Sequence, residues 1–309
     1  MTTTTPAATA PTGEQFVLTL GDVHAVITEL AAALRELSIG GVGLTESYPE
    51  DALPPFADGI VLMPWPNRIE DAVWQLDGKP QQLDITEPDK HNALHGLLRY
   101  TAYRLLERTE NSITLGAVVF PQHGYPFHLD TSVRYELVPD GIRVTHAVRN
   151  LSATRAPVAI GTHPFLAISD VPTEELELTV YSSTRFEVDA RLNPTREIPV
   201  DGPNYDLRTG RPVKDLQLDD AFGALATVDG VSAILRAPDG REVRLLQDDN
   251  HPYLQVFTTR RFPKNGGLGL AVAVEPMTAP PNAFNTGIGV RWLEPDESWN
   301  VGWGIQYSR

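Results

Sequence analysis

The sequence of 309 residues predicts one large all-β domain, and three observations carry that prediction. Glycine (24) and proline (26) make up about 16% of the chain against ~12% in average proteins, and they fall between short apolar segments. Asp-Gly occurs six times, beginning at Asp58, Asp77, Asp140, Asp201, Asp229 and Asp239. Glycine, and less readily aspartate, tolerates the positive φ of a tight hairpin turn. Around two of these turns apolar and polar residues alternate with period two, as antiparallel strands require.

Taken in order, the first thirteen residues, MTTTTPAATAPTG, offer almost nothing to bury and read as a disordered tail. They lack the basic start and apolar run of a secretory signal. From Glu14 to Arg309 the composition is even, with no linker, charge block or repeat, so residues 14–309 read as a single domain. Ala25–Gly40 conflicts with the β assignment. Ile27, Leu30, Leu34 and Leu37 follow helical spacing, and the segment's Ala, Leu and Glu favour a helix. Farther on, SVRYELV-PDG-IRVTHAV sets Val133, Tyr135 and Leu137 on one face before the turn, then Ile142, Val144 and His146 after it. SAILRA-PDG-REVRLLQ repeats the arrangement, with Val243 and Leu245 alternating against Arg244.

Composition removes several classes of function. A formal net charge of −15 argues against nucleic acid or an anionic membrane as partner, since both demand basic patches. The absence of cysteine rules out disulfide scaffolds, thiolate metal sites and cysteine nucleophiles. No apolar run approaches the ~18–20 residues of a membrane helix. The dinucleotide, P-loop and hydrolase-elbow motifs are missing as well. A soluble cytoplasmic protein acting on a small molecule is the expectation.

Polar clusters then stand out in apolar, turn-rich surroundings. MPWPNRI holds Asn67 and Arg68, and HNALHG holds His91 and His95. Those two histidines have the spacing of a zinc motif, but Asn92 stands where its glutamate base belongs, so no metal is expected. His163 interrupts the apolar run VAIGTHPFLAI, and AVAVEPM ends an apolar strand on Glu275. A carboxylate there is costly to bury unless it is paired or hydrogen-bonded. Read alone, Glu275 could equally emerge at the sheet rim, and His163 could be a structural histidine.

The same residues carry a resemblance. NRI at Asn67–Ile69, LHG at Leu94–Gly96, DGIRVTHAVRNLSATRAPVAIGTHPF at Asp140–Phe165, LDDAF at Leu218–Phe222 and VEPMTAPPNAFN at Val274–Asn285 together resemble the aldose 1-epimerase, or galactose mutarotase-like, family. The blocks occur in the family's order and span about Phe16 to Arg309, and the MPWPNR form is most similar to its less-characterised bacterial branch. The resemblance implies a large antiparallel β-sandwich with few short helices, and therefore strand over Ala25–Gly40. It implies interconversion of the α and β anomers of a free hexose, without metal or other cofactor. Glu275 matches the family's general base and His163 its general acid. His95 matches a second histidine near the ring oxygen. Arg68 and Asp219, with Asn67 beside them, match positions that bind sugar hydroxyls. Asp220 follows Asp219 where the galactose branch has a histidine.

General base action requires an ionised Glu275, as expected near neutral pH from a reference pKa of ~4.3. General acid action requires a protonated His163, whose reference value of ~6.5 would need raising by neighbouring carboxylates. Trp65 and Phe165 are candidates for stacking on a sugar face. Arg99, Arg260 and Arg261 are the cations that could recognise a 6-phosphate or another anionic sugar instead. A non-catalytic sugar-binding protein and a glycosidase using Glu275 and Asp219 are further alternatives. The protein is expected to act as a monomer or homodimer.

Overall fold

A computed structural model describes residues 10–264 and 266–309, and among them the chain is an antiparallel β-sandwich. A nine-stranded sheet runs from edge strand Arg104–Arg108 through Ser112–Val119, Leu129–Val138, Gly141–Asn150, Ser298–Ser308 and Glu242–Gln247 to its far edge. An eight-stranded sheet has Asp219–Leu225, Tyr253–Lys264 and Gly267–Met277 side by side, followed by Gly161–Thr162 and Val61–Leu62. Apolar residues of both sheets, including Tyr135, Val144, Trp303, Val256 and Val274, belong to one contiguous core. Among the described residues, the one α-helix is the four-residue turn Ala283–Thr286, and no helix is long and apolar enough to cross a membrane.

Four of the six Asp-Gly pairs close hairpins. Asp77-Gly78 joins Val73–Leu76 to Lys79–Gln82, with φ of 49° and 75°, the two positive angles of a type I′ turn. Asp140-Gly141 closes Leu129–Val138 on Gly141–Asn150, and Asp239-Gly240 lies between Val231–Arg236 and Glu242–Gln247. Asp229-Gly230 turns between the paired residues Val228 and Val231. Asp58-Gly59 is different: Asp58 is fully buried, and it turns out to support the site.

One local reading needs correction, in favour of the strand that the resemblance implies. Ala25–Gly40 is not a helix but the strands Val23–Thr28 and Leu34–Ile39, which flank a tight turn where Ala31 and Ala32 take φ of 57° and 46°. Residues 25–28 are buried on both strand faces, so the run shows no polar alternation and its apolar spacing mimics a helix. Ladder bonds to Gln15–Leu20 on one side and Leu34–Ile39 on the other outweigh a propensity difference worth at most ~1 kcal/mol per residue. The tail assigned to residues 1–13 lies outside the described residues as far as residue 9. Residues 10–13 form a turn, closed by Gly13 N–H donating to Ala10 O at 2.9 Å, with Thr12 buried.

Candidate active site

The site forms on the eight-stranded sheet through strand alternation. Along Gly267–Met277, Val272 and Val274 enter the sandwich core, while Ala271 and Ala273 pack on the other face against Phe165 and Phe262. Glu275 continues that second row. Its direct cross-strand partner is Gln255, and Phe257 is two residues farther along the same face. On the next strand Asp219 lies opposite Phe257, and Gln255 Nε2–H donates to Asp219 Oδ1 at 2.7 Å. The neighbouring Asp220 turns to the opposite face and pairs with Arg185 at 3.5 Å, so of the two aspartates Asp219 is the one that lines the cavity.

Asn67, Arg68 and His95 arrive from a two-stranded pairing of Arg68–Ile69 with Ala93–Leu94. Asn67 has φ of 55° and His95 has φ of 64°, left-handed conformations that cost a non-glycine residue of order 1–3 kcal/mol unless the surroundings enforce them. The enforcement is visible. Arg68 N–H donates to Asn67 Oδ1, and His95 N–H donates to Asn67 O, both at 2.9 Å. Gly96 follows at φ +73° with its Cα against Met63, where a Cβ would lie 2.2 Å from the carbonyl oxygen. The LHG motif is therefore a backbone requirement that aims His95 inward.

His163 is fixed from behind by the buried Asp58-Gly59 turn. Gly59 N–H donates to His163 O at 2.8 Å, and Phe165 N–H donates to Asp58 Oδ1 at 3.3 Å. The His163 ring stacks on Phe165 at 5.4 Å and meets His95 edge-on at 5.3 Å. Its Nε2 lies 3.3 Å from Glu275 Oε1. Asn67, Arg68, His95, His163, Asp219 and Glu275 all line one cavity of about 330 Å³, near the lower end of the ~300–1,000 Å³ typical of small-molecule sites.

Burial governs the electrostatics. Glu275 is 1% exposed, and its carboxyl is pushed well above the usual range by desolvation, with the charge of Asp219 adding and that of Arg68 opposing. His163 is pushed down to about 4, again chiefly by desolvation, with Arg99 contributing. His95 falls well below its ordinary value through burial and the cationic forms of its neighbours. These directions correct the expected charge states. Burial raises Glu275 and lowers His163, so for these two groups 3.3 Å apart it disfavours both charged forms.

Several residues lie elsewhere than expected. Trp65 packs in the core against Phe284 at 5.5 Å, and Phe165 backs His163 without lining the cavity. The aromatic walls are Phe56, Phe257 and Tyr100, which no sequence motif marked. His91 points away from the site to Asp71, at 3.1 Å, so its spacing to His95 brings no shared ligand. Of the three candidate cations, Arg99 alone lines the cavity; Arg260 donates to Lys214 O at 2.5 Å. Gln255 was also missed. A polar residue at an inward strand position was its only signal.

Comparison with known proteins agrees with this architecture. The family model described as aldose 1-epimerase matches residues 21–306. An uncharacterized protein of Escherichia coli K12, YihR, is 32% identical over 283 residues, covering 91% of this chain and 89% of that one. Among solved structures, a GalM/aldose epimerase homologue from C. elegans superposes with a TM-score of 0.84 at 17% identity, covering 96% of this chain and 99% of that one. A putative aldose 1-epimerase from Escherichia coli K12 gives 0.81 at 17% identity, with 96% and 99% covered.

Proposed function

The chain belongs to the aldose 1-epimerase family, and from that premise we propose that it interconverts the α and β anomers of a free hexose such as glucose or galactose. The observation that carries the reading is the convergence of six residues from five separate chain segments on one cavity, with Glu275 and His163 in contact. Glu275 takes the proton of the C1 hydroxyl. His163 gives a proton to the ring oxygen as the C1–O5 bond breaks. The open aldehyde turns about C1–C2, and the same two transfers run backward on its other face. Arg68, Asp219, Asn67 and His95 hold the sugar hydroxyls.

Burial shapes this sequence of transfers in a specific way. The reactive pair is carboxylate plus imidazolium, which has the same proton count as carboxyl plus neutral imidazole. Ring opening moves one proton onto Glu275 and one off His163, so it ends in the neutral pair that a desolvated cavity favours. Two buried charges disappear as the ring opens.

A second reading stays within the family. Arg99 lines the cavity, its Nη1–H and Nη2–H donate to Leu94 O and Tyr100 Oη, and it pairs with no carboxylate among the described residues. That free cation favours a hexose 6-phosphate or another anionic sugar. We place either activity in the cytoplasm, with the protein acting as a monomer or homodimer. Polarimetry of freshly dissolved α-D-glucose, α-D-galactose and glucose 6-phosphate, with wild type and Glu275→Gln, tests both readings. Faster relaxation that disappears in the variant is expected. Unchanged relaxation of all three sugars with wild type would overturn both.

A further inference from the structure

Arg68 is held from outside the cavity by a residue that none of the sequence motifs includes. Its Nε–H donates to Glu87 Oε2 at 2.8 Å and its Nη2–H to Glu87 Oε1 at 3.0 Å, a bidentate fork; Asp219 Oδ2 lies 3.3 Å from the same Nη2. Glu87 does not line the cavity. It stands in the turn between strands Lys79–Gln82 and Ala93–Leu94, where its own N–H donates to Asn92 O at 3.0 Å.

That turn is gripped by a distant one. Arg191, in the turn between strands Ser182–Val188 and Pro194–Pro199, reaches the Glu87 turn at several points. Its Nε–H donates to Lys90 O at 2.9 Å and its Nη2–H to His91 O and Asn92 Oδ1, both at 3.3 Å, while Asp71 Oδ1, outside that turn, accepts from the same Nη2 at 2.6 Å. In return Asn92 Nδ2–H donates to Arg191 O at 3.2 Å, and Lys90 Nζ donates to Ala190 O at 3.1 Å. Asn92 is fully buried, so the junction is packed as well as hydrogen-bonded.

We propose that Glu87 is the positioning residue for Arg68, and that the Arg191 turn is the latch that fixes Glu87. The reasoning is a competition between carboxylates. Arg68 has two acidic neighbours, and the bidentate partner wins because a guanidinium fork matches one carboxylate edge-on. With Glu87 holding that edge, Asp219 makes only a 3.3 Å contact to Arg68 and is aligned by Gln255. Without Glu87, the guanidinium would collapse onto Asp219, and both groups would lose their orientation toward the cavity. The inference rests on the reading of Arg68 as a sugar-binding residue, and two separate readouts distinguish the two claims.

Anomer-exchange NMR would give KM and kcat for wild type, Glu87→Gln and Arg191→Ala. Arginine ¹⁵N NMR would follow the Arg68 Nε–H, identified by its loss in Arg68→Lys. In Glu87→Gln we expect KM to rise about tenfold, the loss anticipated for one weakened charge-assisted hydrogen bond, with kcat within about twofold. Arg191→Ala, at a surface position, should raise KM about two- to threefold by the same route. The Arg68 Nε–H should be protected from solvent exchange in wild type and exchange faster in both variants. Unchanged exchange in Glu87→Gln would overturn the positioning role whatever the activity, as would faster exchange with an unaltered KM. A wild type that accelerates no anomer exchange, yet shows protection lost in Glu87→Gln, would overturn the reading of function and leave the positioning claim standing. Should Glu87→Gln fail to fold, Arg191→Ala carries the same test.

Discussion

His146 and His163 invite comparison because by burial they are nearly alike. They are 0% and 5% exposed, and burial lowers them to about 3 and about 4. Their partners differ. His146 Nε2 accepts the Trp303 indole N–H at 3.1 Å and lies 3.1 Å from Thr162 Oγ1, so that nitrogen is occupied and the proton sits on Nδ1. His163 Nε2 instead faces a carboxyl at 3.3 Å on a cavity wall. A depressed histidine marks burial. A depressed histidine beside an elevated carboxyl, both open to one cavity, marks a site.

The most direct way to break that comparison is to exchange the predicted consequences. Glu275→Gln and His163→Asn should each slow anomer relaxation about 10²–10⁴-fold, the usual contribution of a general acid or base. His146→Gln keeps an acceptor for Trp303 and should change the rate less than about threefold. Polarimetry of the three variants decides the matter. A loss in His146→Gln as large as that in His163→Asn would erase the distinction.

Much of this was legible in the sequence, for reasons that differ between the two sheets. Strands Leu129–Val138 and Gly141–Asn150 have one face in the core and one in solvent, so their period-two pattern reports the hairpin directly. Gly267–Met277 is buried on both faces from Leu270 onward. Its sequence reads only as apolar, and periodicity cannot say which residues face the site; Glu275 stood out because it is charged. Asn67 and His95 stand out through motif resemblance, whereas Glu87 and Gln255 do not. Those two matter through contacts between distant segments, Glu87 with Arg68 and Gln255 with Asp219, that no local pattern encodes. Ala25–Gly40 shows the same limit from the other direction. With both faces buried, a strand loses the alternation that would identify it.

A smaller effect sharpens the structural half of the comparison. His146→Ala removes the acceptor of a buried indole N–H and opens a void, so it should destabilise the protein by about 1–3 kcal/mol while sparing activity. His146→Gln should restore most of that loss. Urea unfolding of both variants measures it. Equal stability of His146→Ala and wild type would show that the Trp303 contact holds nothing together.

The smallest predicted effect is the dependence of stability on pH, and here the two histidines should act together while Glu275 opposes them. Each histidine is neutral in the fold but titrates near ~6.5 when unfolded, so below that pH the unfolded chain binds more protons. Stability is therefore lost as pH falls from about 6.5 toward 4 for His163, and on toward 3 for His146. Glu275 has the reverse sign. Its folded value is raised, so its contribution is complete below ~4.3 and is lost as pH rises through that elevated value. Between pH 6.5 and 5.5 each histidine should cost roughly 1 kcal/mol, which His146→Gln and His163→Asn should each remove from the acid limb of the urea-midpoint profile. Glu275→Gln should steepen that limb above about pH 4.3, where the Glu275 slope opposes the histidines, and remove the loss of stability at higher pH. If His163→Asn also flattened the opposite slope, the two groups would be titrating as one unit, and the shifted values would belong to the pair rather than to either residue.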